Sequence, residues 1–244
     1  MKLHSLKVLA LVAITSFAFG TAFAEDPPKD GWKTESQAGV VMTSGNTETS
    51  TLSFGDETTY RFESNLLKLK AAYLYQKSSN TITGKSWSLG LRYERVLTEK
   101  LNAFVGETVE GDRFAGVNQR YSTDLGAKYQ LIKEDELNWF VEGGYRYTKE
   151  NLTLVERKLH YARAYTEIEK KFSPTVSAKY WLEYLPNFTD SDDWQLNTEL
   201  SLSAALNSIF SLKSAYLLKY DNQINAPGLV KTDKIFTTSL VAKF

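Results

Sequence analysis

From Lys33 to Phe244 the chain repeats one unit, a segment of alternating apolar and polar side chains followed by a turn. Successive side chains of a β-strand point to opposite faces, so a period of two marks a strand whose faces meet unlike surroundings. Twelve such segments fit the run, at approximately residues 34–44, 48–63, 67–77, 86–96, 101–110, 119–131, 137–148, 159–169, 175–185, 194–206, 209–220 and 232–244. In the second, Leu52, Phe54, Thr58, Tyr60 and Phe62 oppose Ser53, Glu57, Thr59, Arg61 and Glu63. In the fourth, Trp87, Leu89, Leu91 and Tyr93 oppose Ser88, Gly90, Arg92 and Glu94. In the tenth, Trp194, Leu196, Leu200 and Leu202 oppose Gln195, Asn197, Glu199 and Ser201. A tilted strand crosses a bilayer in about 9–11 residues, and these segments reach that length.

Alternation also describes a soluble sandwich or a ligand-binding barrel, but three features point to a membrane. The apolar faces carry Tyr and Trp near strand ends, where the aromatic girdles of a membrane barrel lie. Opposite faces carry charges in mid-strand, whereas a small soluble barrel fills its interior with side chains around an apolar core. The last strand runs to the final residue, with Phe236, Thr238, Leu240, Ala242 and Phe244 on one face. An even strand count with short turns at one end and longer loops at the other belongs to bacterial barrels. The short connections are expected near 64–66, 97–100, 132–136, 170–174 and 207–208. Longer outer loops are expected near 78–85, 111–118, 149–158, 186–193 and 221–231, with a tight first outer turn at Ser44-Gly45-Asn46-Thr47.

Residues 1–24 read as a cleaved export signal: Lys2 and Lys7, an apolar run from Val8 to Ile14, then Thr21-Ala22-Phe23-Ala24 before the acidic Glu25-Asp26. The run is shorter than the ~20 residues a spanning helix needs. The expected layout is thus a signal peptide over 1–24, a periplasmic lead-in over 25–32 and one barrel over 33–244. Removing the signal takes two of 29 basic residues and none of 29 acidic ones, leaving the chain near neutral. Nucleic-acid binding asks for a clustered basic face instead. There is no cysteine, which excludes disulfides and thiolate metal sites. The fold class is all-β, an up-and-down antiparallel transmembrane β-barrel of twelve strands.

The pattern breaks in places. Asp56 falls on the apolar face of the second strand, as a subunit contact or beside an irregularity at Gly55, and Glu107 breaks the fifth. The eighth has a weak apolar face of Ala162, Ala164 and Ile168 against Tyr161, Arg163, Glu167 and Glu169.

Gly31-Trp32, followed by Val40-Val41-Met42-Thr43-Ser44-Gly45-Asn46-Thr47-Glu48-Thr49-Ser50, resembles the opening of the YdiY-like salt-induced outer-membrane proteins. Leu91-Arg92-Tyr93-Glu94 and the closing Ser239-Leu240-Val241-Ala242-Lys243-Phe244 are also similar to that family. The resemblance implies an outer-membrane barrel of unknown biochemical function, with a response to salt and no assigned functional residues.

Candidate chemistry is sparse. His160 is the only histidine beyond the signal; Ala162 stands two residues after it and Lys158 two before, so neither a Ser-His nor an Asp-x-His strand pair is present. Triads are geometric, so an enzyme centred on His160 stays as an alternative, next to its reading as a strand-top interfacial residue. Asp190, Asp192 and Asp193 could ligate Ca²⁺ through oxygens, or form a solvated acidic loop. Glu134-Asp135-Glu136 reads as a solvated turn. No cofactor is expected.

The informative set is the expected lumen: Glu57, Arg61, Glu63, Lys68, Lys70, Arg92, Glu94, Asp124, Lys128, Glu142, Arg146, Arg163, Glu167, Lys179, Glu183, Glu199, Lys213 and Lys219. Such charges either line a narrow water-filled path that selects small solutes or pair across strands and fill the barrel. Eight strands are just filled by side chains and 16–18 leave a channel, so twelve lie between. The expected function is a non-enzymatic envelope barrel, passing small solutes or serving an osmotic or salt response, with a selective channel as the alternative. Its expected partners are outer-membrane lipid and the barrel-assembly machinery, to which Phe244 would offer an edge strand by β-addition.

Overall fold

The computed structural model describes residues 30–43, 49–114, 116–152, 156–223 and 230–244. Every regular element among them is a strand: β1 (Gly31–Thr43), β2 (Thr49–Phe62), β3 (Asn65–Ser78), β4 (Thr81–Val96), β5 (Leu101–Asp112), β6 (Val117–Lys133), β7 (Leu137–Leu152), β8 (Glu156–Lys171), β9 (Val176–Pro186), β10 (Trp194–Ala205), β11 (Phe210–Asp221) and β12 (Thr232–Lys243). Each pairs antiparallel with its sequence neighbours, and β1 pairs with β12, closing the barrel. The closing ladder sets Glu35–Ala38 against Leu240–Lys243. Reciprocal backbone hydrogen bonds between Thr34 and Phe244, both 2.9 Å, extend it to the last residue. The start of β1 and the end of β12 therefore lie at one end, here called the periplasmic end.

The apolar face of each strand points outward. Leu125 is 61% exposed, Phe236 62% and Leu202 54%, whereas Glu150 is 1% exposed and Arg163 7%. A water-soluble protein does not present so large a continuous apolar surface, while lipid requires one and requires the backbone closure that removes every sheet edge. The fold is therefore a twelve-stranded transmembrane barrel of the outer-membrane type. At the periplasmic rim Trp32 stacks on Tyr60 at 4.4 Å between ring centres, and Tyr60 on Phe62 at 5.4 Å. At the other rim Trp194 stacks on Tyr220 at 4.8 Å. These are the two aromatic girdles.

The strands run further than the alternation suggests. β1 starts at Gly31, so Trp32 belongs to the sheet and not to a lead-in. β3 and β4 leave only Ser79–Asn80 between them, correcting the loop expected at 78–85. Both residues have positive φ, 45° and 68°, the geometry of a two-residue hairpin turn that usually uses Asn-Gly. Half of 111–118 and most of 149–158 are likewise strand. Backbone pairing thus continues past the lipid, where alternation no longer has an apolar partner to show it. The expected contrast between short and long ends survives mainly in the β9–β10 and β11–β12 loops. Glu63, expected in the lumen, instead takes a positive φ of 51° in the β2–β3 turn. The Ser44-Gly45-Asn46-Thr47 turn lies outside the described residues.

Asp56 sits in an unbroken register, opposite Ser36 on one side and Ala71 on the other. No bulge explains it. Its carboxylate accepts hydrogen bonds from Ser36 Oγ at 2.6 Å and Thr58 Oγ1 at 3.2 Å. Glu107 is similarly held by Thr123 Oγ1 at 2.5 Å. Each lipid-facing carboxylate thus has its own hydroxyl donors, which lowers the cost of leaving water.

Candidate functional site

The lumen is built from one wall upward. Phe104 on β5 points inward and is 3% exposed. Its inward neighbours in the register are Gly126 on β6 and, opposite that, Gly144 on β7. A Cβ on Gly126 would come within 2.8 Å of the Phe104 ring. Gly126 therefore leaves the space that the ring occupies, and Gly144 lets the β6 and β7 backbones approach closely beside it. Over the ring sit the Arg92 guanidinium at 3.8 Å and that of Arg163 at 5.8 Å, a cation–π arrangement suited to Arg.

From that platform an ionic chain crosses β4 to β9. Arg92 donates twice to Glu142, at 2.6 and 3.0 Å. Arg163 donates to Glu142 at 2.7 Å and to Glu183 at 2.7 Å. Arg146 donates twice to Asp124, at 2.6 and 2.7 Å, and twice to Glu183, at 3.1 and 3.2 Å. Asn197 from β10 donates to Glu183 at 3.3 Å. Glu94 stands 2.8 Å from Arg92 Nε and 3.9 Å from Lys128 Nζ, although that Nε lacks hydrogen-bond alignment. Bidentate arginine–carboxylate pairing of this kind fixes both partners in position. Buried ion pairs add little net stability, but leaving one member unpaired is costly.

Beside this network lies a cavity of about 710 Å³. It is lined from the periplasmic ends of the strands: Lys33 and Glu35 on β1, Glu57 and Arg61 on β2, Lys68 and Lys70 on β3, Glu167 and Glu169 on β8, Lys179 on β9, Lys213 on β11 and Lys243 on β12. The network residues Arg92, Glu94, Asp124, Lys128, Glu142, Arg146 and Arg163 complete the lining. Glu183 stands behind Arg146 and Arg163, and Glu199 pairs with Lys213 at 3.3 Å. Other pairs are Glu57 with Lys68 and Lys70 at 3.0 and 2.9 Å, Lys179 with Glu167 at 3.7 Å, and Lys243 with Glu35 at 2.9 Å. The opposite wall, over β10 to β12 and β1 to β2, sets small inward side chains, Ser201, Ser203, Ser211, Ala215, Ser239, Gly39 and Gly55, among these separate charged groups. The barrel thus holds a continuous arginine–carboxylate network on one side, and separate charged groups interspersed with short side chains on the other. Lys219 is exposed on the lumen side near the outer end.

The outer end holds groups that alternation did not single out. Arg120 bridges Glu110 and Glu150, both at 2.6 Å. The β9–β10 loop folds inward, and Asp193, 2% exposed, accepts from Arg157 at 2.8 Å, Asn187 at 3.0 Å and Tyr161 at 3.2 Å. That corrects the solvated acidic loop for Asp193, whose neighbours come from β8 and from the loop's own start. Inward-facing Tyr161, Leu159 and Leu185 form a small buried cluster beneath it. Trp181 also faces inward, stacked on Tyr165 at 6.0 Å.

His160 points outward, at the outer girdle. Its ring is hydrogen-bonded to Tyr145 Oη at 2.5 Å and packs on Tyr147 at 5.3 Å. Among the described residues no group of three His, Asp or Glu is placed to hold a metal ion. Phe244, 71% exposed, closes the seam at the periplasmic rim.

Residues 36–244 match the family described as protein of unknown function, DUF481. The chain belongs to that family. The resemblance of its opening and closing strands to the YdiY-like proteins agrees with this membership. An outer-membrane channel from Pseudomonas putida F1 shares the DUF481 chain's fold at 12% identity and a TM-score of 0.54, covering 93% of this chain and all (100%) of its own. The NanC porin, at 10% identity and a TM-score of 0.48, covers 87% and 98%. The KdgM porin, at 11% identity and 0.46, also covers 87% and 98%. No curated protein sequence matches the chain.

Proposed function

We propose that this DUF481 barrel passes small hydrated solutes across the outer membrane, along the side of the lumen opposite the ionic network. The observation that carries this reading is the unequal filling of the lumen. Arginines and carboxylates form a continuous network on the β4–β9 wall, whereas β10 to β2 set serine, alanine and glycine among separate charged groups, beside a polar-lined cavity of about 710 Å³. Charged groups that satisfy one another are poor binders of passing ions, so the network acts as a rigid filler that sets the width of the path. An osmotic or salt role would act through the same path. Its chemistry is that of a conduit, in which fixed side chains orient and screen solutes and no bond is made or broken.

Reconstitution in planar bilayers tests it. Discrete conductance steps well below those of a 16-stranded porin are expected, since a twelve-stranded lumen is narrower and half filled. A correctly folded barrel that inserts and carries no current would overturn the proposal.

A further inference from the structure

We infer that the periplasmic mouth of the lumen is a binding site for small multivalent oxyanions. The inference deepens the solute-path reading by naming a ligand class. The cavity lining holds eleven Lys and Arg side chains against seven Asp and Glu, or nine with Glu183 and Glu199, which pair with it from just outside, although the whole chain is balanced at 29 of each. The excess is not spread evenly. Arg92, Arg146, Arg163 and Lys128 are matched by Glu94, Asp124, Glu142 and Glu183 in the ionic network. The unmatched charge is left at the mouth.

Two groups carry it. Lys33 faces Thr59 across the β1–β2 ladder, and Arg61 faces Gly31 one step closer to the rim. They are diagonal neighbours on one face, a spacing of about 7–8 Å that long side chains can bridge. Lys68 lies opposite Thr59 from the other side, so all three cations flank Thr59 on the same face of the sheet. Lys68 is held by Glu57 at 3.0 Å. Neither Lys33 nor Arg61 has an ion-pair or side-chain hydrogen-bond partner among the described residues, and both are exposed at the cavity edge. A guanidinium fork beside an ammonium is the donor set that phosphate, sulfate or carboxylate groups take. The low-dielectric wall and a closed ring of strands concentrate the field at such a mouth. A small oxyanion with two or more charges can reach Lys33 and Arg61 together; a monovalent one engages a single group.

Calorimetric titration of the folded barrel in zwitterionic detergent with inorganic triphosphate tests the site. Binding is expected at low ionic strength and should weaken as salt rises, because the groups lie within reach of screening ions. Lys33→Gln with Arg61→Gln should weaken it about tenfold, the scale set by losing two partly solvated charge contacts. Lys100→Gln, in the β4–β5 turn and away from the cavity lining, should leave it unchanged. Heat-dependent gel migration confirms that each variant is folded, and Lys33→Gln alone supplies a milder version if the double variant does not fold. Equal affinity in wild type and folded variants, or no binding by wild type, overturns the site. A barrel that binds triphosphate through these residues yet is electrically silent removes the solute path and leaves the site standing; a conducting barrel indifferent to both variants does the reverse.

Discussion

Glu142→Ala is expected to destabilise the barrel by about 3 kcal/mol, the low end of the range for breaking a buried ion pair. Glu142 is the hub of the ionic chain, receiving two hydrogen bonds from Arg92 and one from Arg163. Without it both guanidiniums lose a partner while pinned near the Phe104 ring. Arg163 keeps Glu183 at 2.7 Å and Arg92 keeps its approach to Glu94, and water from the neighbouring cavity can enter, which is why the upper end of the range is not reached. The double variant Glu142→Ala with Arg163→Ala should be less unstable than the two single losses added together, since the second removes a charge that the first orphaned. Urea unfolding in micelles, followed by the gel shift between folded and unfolded forms, measures both. A loss below about 1 kcal/mol for Glu142→Ala would mean that the network does not brace the wall, because solvated ion pairs contribute no more than that.

Leu125→Arg should cost about 2–4 kcal/mol, the penalty for a basic side chain on the lipid face at the bilayer midplane. Leu125 is 61% exposed, at the centre of β6. The comparison that gives the number meaning is Leu97→Arg. Leu97 is 55% exposed in the β4–β5 turn at the periplasmic rim, where the same change should cost about 0–1 kcal/mol. In a soluble protein both positions would be tolerant surface sites. Near-equal small effects, read from the same unfolding midpoints, would place Leu125 in water and not in lipid.

Much of this architecture was legible because lipid on one side and water on the other impose opposite preferences on adjacent residues. Leu89 and Arg92, or Leu200 and Glu199, sort to different faces by parity alone, and the twelve strands follow. The ends of strands were harder. Beyond the lipid both faces are wet, so residues such as Thr81 and Lys85 look like loop although the backbone continues to pair; Ser79–Asn80 turns the chain without the glycine that normally advertises such a hairpin. The members of the ionic network were recognisable as inward charges, but their partnerships were not. Those depend on register between distant strands, as with Arg92 on β4 and Glu142 on β7. The glycine pair left a trace, since Gly126 and Gly144 interrupt the inward faces of β6 and β7, but only pairing shows that both lie in line with Phe104. Asp193 is hidden for a similar reason: an acidic loop looks solvated until Arg157 and Tyr161 of β8 are seen beneath it. Asp56 broke the pattern without breaking the sheet, because Ser36 stands opposite it.

The most direct test of the arrangement uses the tryptophans. Two single-tryptophan variants, one keeping Trp87 and one keeping Trp181, would be refolded into bilayers containing brominated acyl chains. Trp87 projects outward at 40% exposure, so its fluorescence should be strongly quenched; Trp181, stacked on Tyr165 inside the lumen, should keep its emission. Quenching of Trp181 with sparing of Trp87 would contradict a barrel whose rings face lipid and whose charges face water.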